Sequence, residues 1–228
     1  MKKRINTINI EEFKTIASYI IDNNKRLYSE GKKTTAIELV GEAGLGKTSA
    51  IIQLAEEKGM SYVKLNLAQL EELGDLIGYP IKEYYVCNER PRIDDEGMPV
   101  LEDGIVVKDE ECMWVSADVL DTYISEGYRI KDNISRMGYA LPTWVPTNEN
   151  PNGTILILDD FNRADPRFIT ACMELIDRGQ YISWSLPANC TIVLSCNPDN
   201  GDYNVQSMDN AQKTYRKNNG DYFVILIR

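Results

Sequence analysis

Residues 41–48 read Gly-Glu-Ala-Gly-Leu-Gly-Lys-Thr, a glycine-rich stretch that ends in a lysine and a hydroxyl. Glycine tolerates backbone angles that turn consecutive N–H groups towards one point, where they can surround the oxygens of a phosphate. The Lys47 ammonium would neutralise phosphate charge there, and the Thr48 hydroxyl is a ligand suited to Mg²⁺. The spacing G-x-x-x-x-G-K-[ST] is the P-loop pattern and predicts a site for nucleotide phosphates. The residues expected to line this site are Gly41, Glu42, Ala43, Gly44, Leu45, Gly46, Lys47, Thr48 and Ser49.

Two acids, Asp159 and Asp160, directly follow the apolar run 154–158. A carboxylate at the end of a buried parallel strand would lie at the same sheet edge as the phosphate loop. Asp159 could then hold the water shell of a Mg²⁺ ion, and Asp160 could orient an attacking water. The pair therefore predicts metal-assisted phosphate chemistry.

A third polar group, Asn197, ends the apolar run 190–196. Its amide could hydrogen-bond a γ-phosphate or the attacking water between two strands. The pair Asn197-Pro198 also fits a plain turn, and the spacing alone favours that turn. Both interpretations stay open at this point.

The elements that must position these residues alternate along the chain. An amphipathic helix begins at Ile10, where Asn9 and Glu12 form a capping box. The strand, helix and strand patterns at 34–40, 48–58, 61–67, 154–158, 166–178 and 190–196 then follow in sequence. This alternation predicts an α/β fold with about five parallel strands and right-handed crossovers. We expect residues 181–186 to form a further strand, and residues 222–227 to be either the fifth strand of the sheet or a tail.

The segment 71–153 differs in composition, since it holds most of the prolines and carries eight acids against one lysine within 94–111. A hairpin is expected around Asp103-Gly104, and a short helix capped by Ser116 over 115–127. The segment reads as an insertion without a core of its own. We therefore expect one domain, 1–228, with an N-terminal helix at 1–33, core segments at 34–70 and 154–228, and the insertion between them.

Composition narrows the classes of function. The 228-residue chain has a net charge of −10, a sequence pI near 4.7 and no histidine, which excludes Ser-His-Asp hydrolases and H-E-x-x-H zinc enzymes. An acidic surface repels phosphate backbones, so nucleic acid is not the default partner. The five cysteines include no C-x-x-C pair, which argues against a disulfide framework and favours a reducing cytoplasm. No apolar run reaches the roughly 18 residues of a membrane span.

Three motifs, taken together, resemble a known family. Gly-Glu-Ala-Gly-Leu-Gly-Lys-Thr, Ile-Leu-Ile-Leu-Asp-Asp-Phe-Asn-Arg-Ala and Val-Leu-Ser-Cys-Asn-Pro-Asp occur in this order. The chain is similar, over about 34–216, to AAA+ ATPases of the MoxR and dynein-related branch, in bacterial or bacteriophage form. The resemblance implies Walker A at 41–48, Walker B at 155–160 and sensor 1 at Asn197, with ATP and Mg²⁺ as cofactors. The resemblance also implies arginines that reach a neighbouring subunit's nucleotide, for which Arg163 and Arg216 are the candidate positions. For Arg163, a surface salt bridge is the alternative.

The same resemblance implies a ring homo-oligomer, a hexamer where a helical lid is present, which remodels a protein client in a bacterial or phage-infected cytoplasm. The sequence differs from the family pattern in three respects that affect these expectations. Asp160 stands where the family has glutamate, which predicts slow hydrolysis. The insertion is enlarged and is the candidate client contact, and the lid expected after the core is missing from this sequence.

Two alternatives stay open. A nucleic-acid motor would need a basic, aromatic loop, for which 128–131 and Arg136 are the candidate residues. A nucleotide-gated binding module with little turnover is favoured by Asp160 and by the missing lid.

Overall fold

The computed structural model describes residues 7–199 and 222–227. Helices in this part of the chain are α1 (Ile10–Ser29), α2 (Lys47–Glu57), α3 (Leu73–Ile77), α4 (Leu120–Ser125) and α5 (Pro166–Arg178). The strands are β1 (Ala36–Val40), β2 (Ser61–Asn66), β3 (Pro80–Pro91), β4 (Leu101–Glu102), β5 (Ile105–Val106), β6 (Lys108–Ser116), β7 (Arg129–Tyr139), β8 (Thr154–Asp159), β9 (Gln180–Tyr181), β10 (Trp184–Ser185), β11 (Cys190–Cys196) and β12 (Tyr222–Leu226). The chain divides into two compact units, Tyr79–Ala140 and the remainder.

The larger unit is built on a five-stranded sheet in the order β12-β1-β11-β8-β2. All four pairings in this sheet are parallel, which confirms the α/β class and the expected number of strands. Tyr222–Leu226 pairs with β1 along its length, so this segment is the fifth strand and not a tail. Because the strands are parallel, the carboxyl ends of β1, β8 and β11 lie at one edge, where the motif residues follow.

The central strands are buried on both faces, as continuous apolar runs in parallel sheets require. Every residue of β8 and of β11 is buried. The core between one sheet face and helices α1 and α2 includes Phe13, Ile21, Ile37, Ile51, Ile155 and Val193. The expected capping box at the start of α1 is present, since the Glu12 N–H donates to Asn9 and the Asn9 N–H donates to the Glu12 carboxylate, both at 2.9 Å.

The segment 181–186 is not the strand that its alternation predicts. It turns back on itself as the hairpin β9–β10, with Trp184 opposite Tyr181. Ile182 occupies the turn with φ of 37°. Apolar and polar residues alternate in the same way in both strands of such a short hairpin. The sequence pattern therefore does not reveal that the chain reverses its direction.

The unit Tyr79–Ala140 lies within the predicted insertion 71–153, and residues 71–78 and 141–153 belong to the larger unit. Its three-stranded antiparallel sheet has the order β6-β3-β7 and a small core of Val86, Val115 and Tyr128. The segment therefore has a core of its own, contrary to expectation, because strand pairing assembles apolar residues that are scattered in sequence. The hairpin around Asp103-Gly104 is confirmed as β4–β5. The predicted helix over 115–127 shortens to α4. Its N-cap is Val119 and not Ser116, because β6 runs on to Ser116.

Two cysteines of this unit, Cys87 and Cys112, form a disulfide between β3 and β6. This corrects the expectation from the cysteine count, which cannot detect that strand register places these residues opposite each other. Cys172, Cys190 and Cys196 are buried thiols outside any disulfide. No helix among the described residues is long and apolar enough to cross a membrane.

The buried thiols should be unreactive in the folded protein. Burial raises the pKa of Cys190 to about 12 and also raises that of Cys172, so almost no thiolate is available at neutral pH. We expect dithionitrobenzoate to titrate no fast-reacting thiol in native, air-oxidised protein, three after unfolding, and all five when reduction precedes unfolding. Five thiols in unfolded, unreduced protein would contradict the Cys87–Cys112 pairing.

Candidate phosphate-binding site

The phosphate loop 41–46 connects β1 to α2 at the carboxyl edge of the sheet. Gly46 precedes the helix in the left-handed conformation, with φ of 77°, where a side chain is strained. Gly41 is required for a different reason, since a Cβ there would lie 2.6 Å from Ile227 Cγ1 on the neighbouring chain segment. A Cβ added at Gly44 or Gly46 would meet nothing within 4 Å. The loop therefore borders open space, and the first turn of α2 contributes the positive end of its dipole.

Lys47, the first residue of α2, turns its ammonium back into this loop. Its Nζ donates to the carbonyl oxygens of Gly41 at 2.7 Å and Glu42 at 2.9 Å, and to Asn197 Oδ1 at 3.2 Å. These three acceptors are neutral. Burial lowers the pKa of Lys47, and the nearby charges of Asp160 and Asp159 oppose that effect. The loop thus presents a cation to an incoming anion, as phosphate binding requires.

Thr48 and Asp159 lie side by side. The Thr48 hydroxyl donates to Asp159 Oδ1 at 2.9 Å, and Lys64 Nζ lies 2.9 Å from Asp159 Oδ2. Burial alone would raise the pKa of the Asp159 carboxyl, but hydrogen bonds from Lys64, Thr48 and Ser195 outweigh it and the pKa is lowered. A hydroxyl beside an ionised carboxylate is a hard-oxygen donor set, so these residues fit Mg²⁺.

Asn197 joins the remaining site residues. Its Nδ2 donates to Asp160 Oδ1 at 3.3 Å, while its Oδ1 accepts from Lys47. Asn197 is 4% exposed, so its amide points into the site and not into solvent as in a simple surface turn. Asp160 has φ of 51°, in the left-handed region that aspartate and asparagine tolerate. The structure therefore brings the side chains of Lys47, Thr48, Asp159, Asp160 and Asn197 together at one edge of the sheet.

The two predicted arginines are placed differently. Arg163 Nη1 lies 3.8 Å from Asp160 Oδ2 of its own chain, and half of its side chain is exposed. Arg216 lies outside the described residues. The role of each arginine in a neighbouring subunit's site stays a prediction.

Two site residues escape sequence reasoning, Lys64 and Asn162. Asn162 is buried and brackets the backbone of Asn197. Its Nδ2 donates to the Asn197 carbonyl at 2.7 Å, and its Oδ1 accepts from the Asn197 N–H at 3.0 Å. The position of Asn162, two residues after Asp160, was the signal in the sequence that could have pointed to its role. Lys64 lies on β2, and no sequence pattern links it to Asp159.

These two hydrogen bonds make the stability of the protein sensitive to substitution of Asn162. Replacing Asn162 with alanine leaves the buried N–H and C=O of Asn197 unpaired, so we expect the free energy of unfolding to fall by about 2–3 kcal/mol. Urea titration measures this loss. Asn150→Ala is the matched control, because Asn150 Nδ2 also makes hydrogen bonds, to Gly59 and Ser61 at 3.0 Å, but at an exposed position. Equal losses in the two variants would contradict the importance of the bracket.

Comparison with known proteins gives little beyond this geometry. No family model and no curated protein matches the sequence. Two point-mutant structures of RuvB from Thermotoga maritima are similar to this chain at 13% and 12% identity, each with a TM-score of 0.43. They cover 94% and 98% of this chain, which in turn spans 45% and 50% of theirs, about half their length. At this level of similarity, function has to be inferred from the site itself.

Proposed function

We propose that this protein is a P-loop ATPase of the AAA+ type, which binds ATP and Mg²⁺ at the edge formed by β1, β8 and β11. One observation carries the proposal. Hydrogen bonds of 2.9 to 3.3 Å join side chains from three separate motifs. These side chains belong to Lys47, Thr48, Asp159, Asp160 and Asn197. A glycine-rich turn without function would not require the two later motifs to converge on it.

The chemistry assigned to each group follows from its position. The loop N–H groups and Lys47 bind the phosphates, and Thr48 and Asp159 hold Mg²⁺. When bound, Mg²⁺ would neutralise the charge that develops on the phosphate oxygens. Asp160 orients the attacking water, and Asn197 donates to the γ-phosphate or that water, because its amide already lies between Lys47 and Asp160.

The proposal extends to assembly. The resemblance to MoxR-like proteins supports a ring of identical subunits, in which Arg163 or Arg216 completes a neighbour's site and hydrolysis remodels a protein client. Half of the Arg163 side chain is exposed beside Asp160, so a subunit interface at this edge could engage it. The acidic unit Tyr79–Ala140 is the proposed client contact. A bacterial or phage-infected cytoplasm stays the proposed location, and the Cys87–Cys112 disulfide is the observation that opposes it.

A nucleic-acid motor is less well supported. Tyr128 is buried, and its hydroxyl donates to Glu111. Lys131 and Arg136 form ion pairs with Glu110 and Glu83, at 2.7 Å each. The candidate residues for a basic, aromatic loop are thus largely paired with acids of the same unit, which leaves little positive charge for phosphate backbones.

A second candidate is a nucleotide-gated binding module with little turnover. The carboxylate of Asp160 is short and is held by Asn197, with Arg163 near its other oxygen. A carboxylate engaged in this way reaches a water less readily than the longer glutamate of the family.

Steady-state ATP hydrolysis with Mg²⁺, run beside light scattering with and without ATP, tests the proposal. Turnover together with ATP-dependent assembly supports the remodelling ATPase. Binding of ATP by a monomer with background turnover supports the binding module. Absence of ATP binding at any Mg²⁺ concentration would refute both.

A further inference from the structure

One cation in the site has no role in the scheme above. Lys64, on β2, places its ammonium 2.9 Å from Oδ2 of Asp159, the residue assigned to Mg²⁺. The contact depends on the sheet order, because β2 lies beside β8 and Asn66 is in register with Asp159. Lys64 thus reaches Asp159 from the side opposite to the phosphate loop strand.

The donors around Asp159 already occupy part of the carboxylate on which Mg²⁺ would bind. An ionised carboxylate offers about four lone-pair positions. Thr48 occupies one of these positions on Oδ1, and Lys64 occupies one on Oδ2. A hydrated Mg²⁺ beside Thr48 therefore has to share the carboxylate with an ammonium that also repels it.

The two partners are not equally fixed. The side chain of Asp159 is 11% exposed, whereas that of Lys64 is 41% exposed. A lysine with a flexible stem and access to water can leave the pair at low cost, while the carboxylate stays hydrogen-bonded to Thr48. When the ion pair breaks, we therefore expect the Lys64 side chain to move and the Asp159 side chain to stay in place.

We propose that Lys64 is a built-in competitor of Mg²⁺ at Asp159, which raises the Mg²⁺ concentration needed for nucleotide binding. This inference rests on the proposed function. Lys64 holds one carboxylate oxygen until Mg²⁺ arrives with the nucleotide, and it then turns towards solvent. The competition shifts metal binding to higher Mg²⁺ concentrations, since Mg²⁺ has to displace the Lys64 ammonium from Oδ2 of Asp159.

The test is a Mg²⁺ titration of nucleotide binding that does not depend on turnover. The probe is a fluorescent, non-hydrolysable ATP analogue at fixed concentration, with Mg²⁺ raised from an EDTA-buffered start. Removing a unit charge next to a divalent cation at a half-exposed site should lower the Mg²⁺ midpoint about three- to tenfold in Lys64→Met. Lys64→Arg keeps the charge and should stay within about twofold of wild type.

Lys14→Met is the matched control, because Lys14 forms an ion pair of 2.7 Å with Glu57 in the same unit, away from the loop. Its Mg²⁺ midpoint should not change. An unchanged or higher midpoint in Lys64→Met would overturn the inference, and a higher one would make Lys64 an orienting group for Asp159. If Lys64→Met does not fold, Lys64→Gln provides the same comparison.

The same titration distinguishes failure of the proposed function from failure of the inference about Lys64. A wild-type protein that fails to bind the analogue at saturating Mg²⁺ refutes the proposed function and the inference together. A wild-type protein that binds it, with equal midpoints for wild type and Lys64→Met, refutes only the inference.

Discussion

Replacing Lys47 with methionine should weaken the binding of Mg-ATP by at least about 100-fold, because charge-assisted contacts to phosphate are among the strongest hydrogen bonds in proteins. The ammonium of Lys47 is held by three neutral oxygens at the mouth of the loop, so its charge is not cancelled by a carboxylate in direct contact. Methionine keeps the length and apolar stem of lysine but removes that charge. Isothermal titration calorimetry with a non-hydrolysable ATP analogue measures the loss.

Lys58→Met is the matched control for this experiment. Lys58 forms an ion pair of 2.8 Å with Asp22 in the same unit, and because the Asp22 side chain is 61% exposed, the pair contributes little. We expect its affinity for nucleotide to match that of the wild type. Equal affinities for Lys47→Met and Lys58→Met would contradict the assignment of residues 41–48 as a phosphate loop.

Replacing Asp160 with asparagine should reduce ATP turnover by at least about 100-fold while nucleotide affinity stays within a fewfold of wild type, because general-base or water-orienting groups contribute factors of this size. The substitution suits the backbone, since Asp160 has φ of 51° and asparagine tolerates the left-handed region. The Asn197 contact at 3.3 Å can also persist with an amide oxygen. Turnover under saturating Mg-ATP and affinity measured separately distinguish catalysis from binding.

Asp22→Asn is the control for loss of an acidic charge, because Asp22 is exposed and, among the contacts described, pairs only with Lys58. It should hydrolyse ATP at the wild-type rate. Undiminished turnover in Asp160→Asn would show that another group orients the water. If wild-type turnover is itself at background, the nucleotide-gated module becomes the better assignment, and the affinity measurements remain informative.

The local features of the fold followed from the sequence because their causes are local. The capping box of Asn9 and Glu12, the glycine-lysine turn and the Asp103-Gly104 hairpin each depend on residues a few positions apart. The buried runs at β8 and β11 were predictable because parallel strands covered on both faces need continuous apolar residues. The order of motifs also predicted that the phosphate loop and the two acids share one edge, whereas the spacing alone favoured a plain turn at Asn197.

Only the tertiary structure showed which distant segments of the chain pair with each other. The bracket between Asn162 and Asn197 spans 35 residues, and the disulfide between Cys87 and Cys112 spans 25. Lys64 reaches Asp159 only because β2 is the strand next to β8. Periodicity reports which face of a strand is buried, but not which strand lies beside it. The composition and spacing of this sequence therefore determined the kind of chemistry at the site, and the neighbour order of the sheet determined which additional side chains surround it.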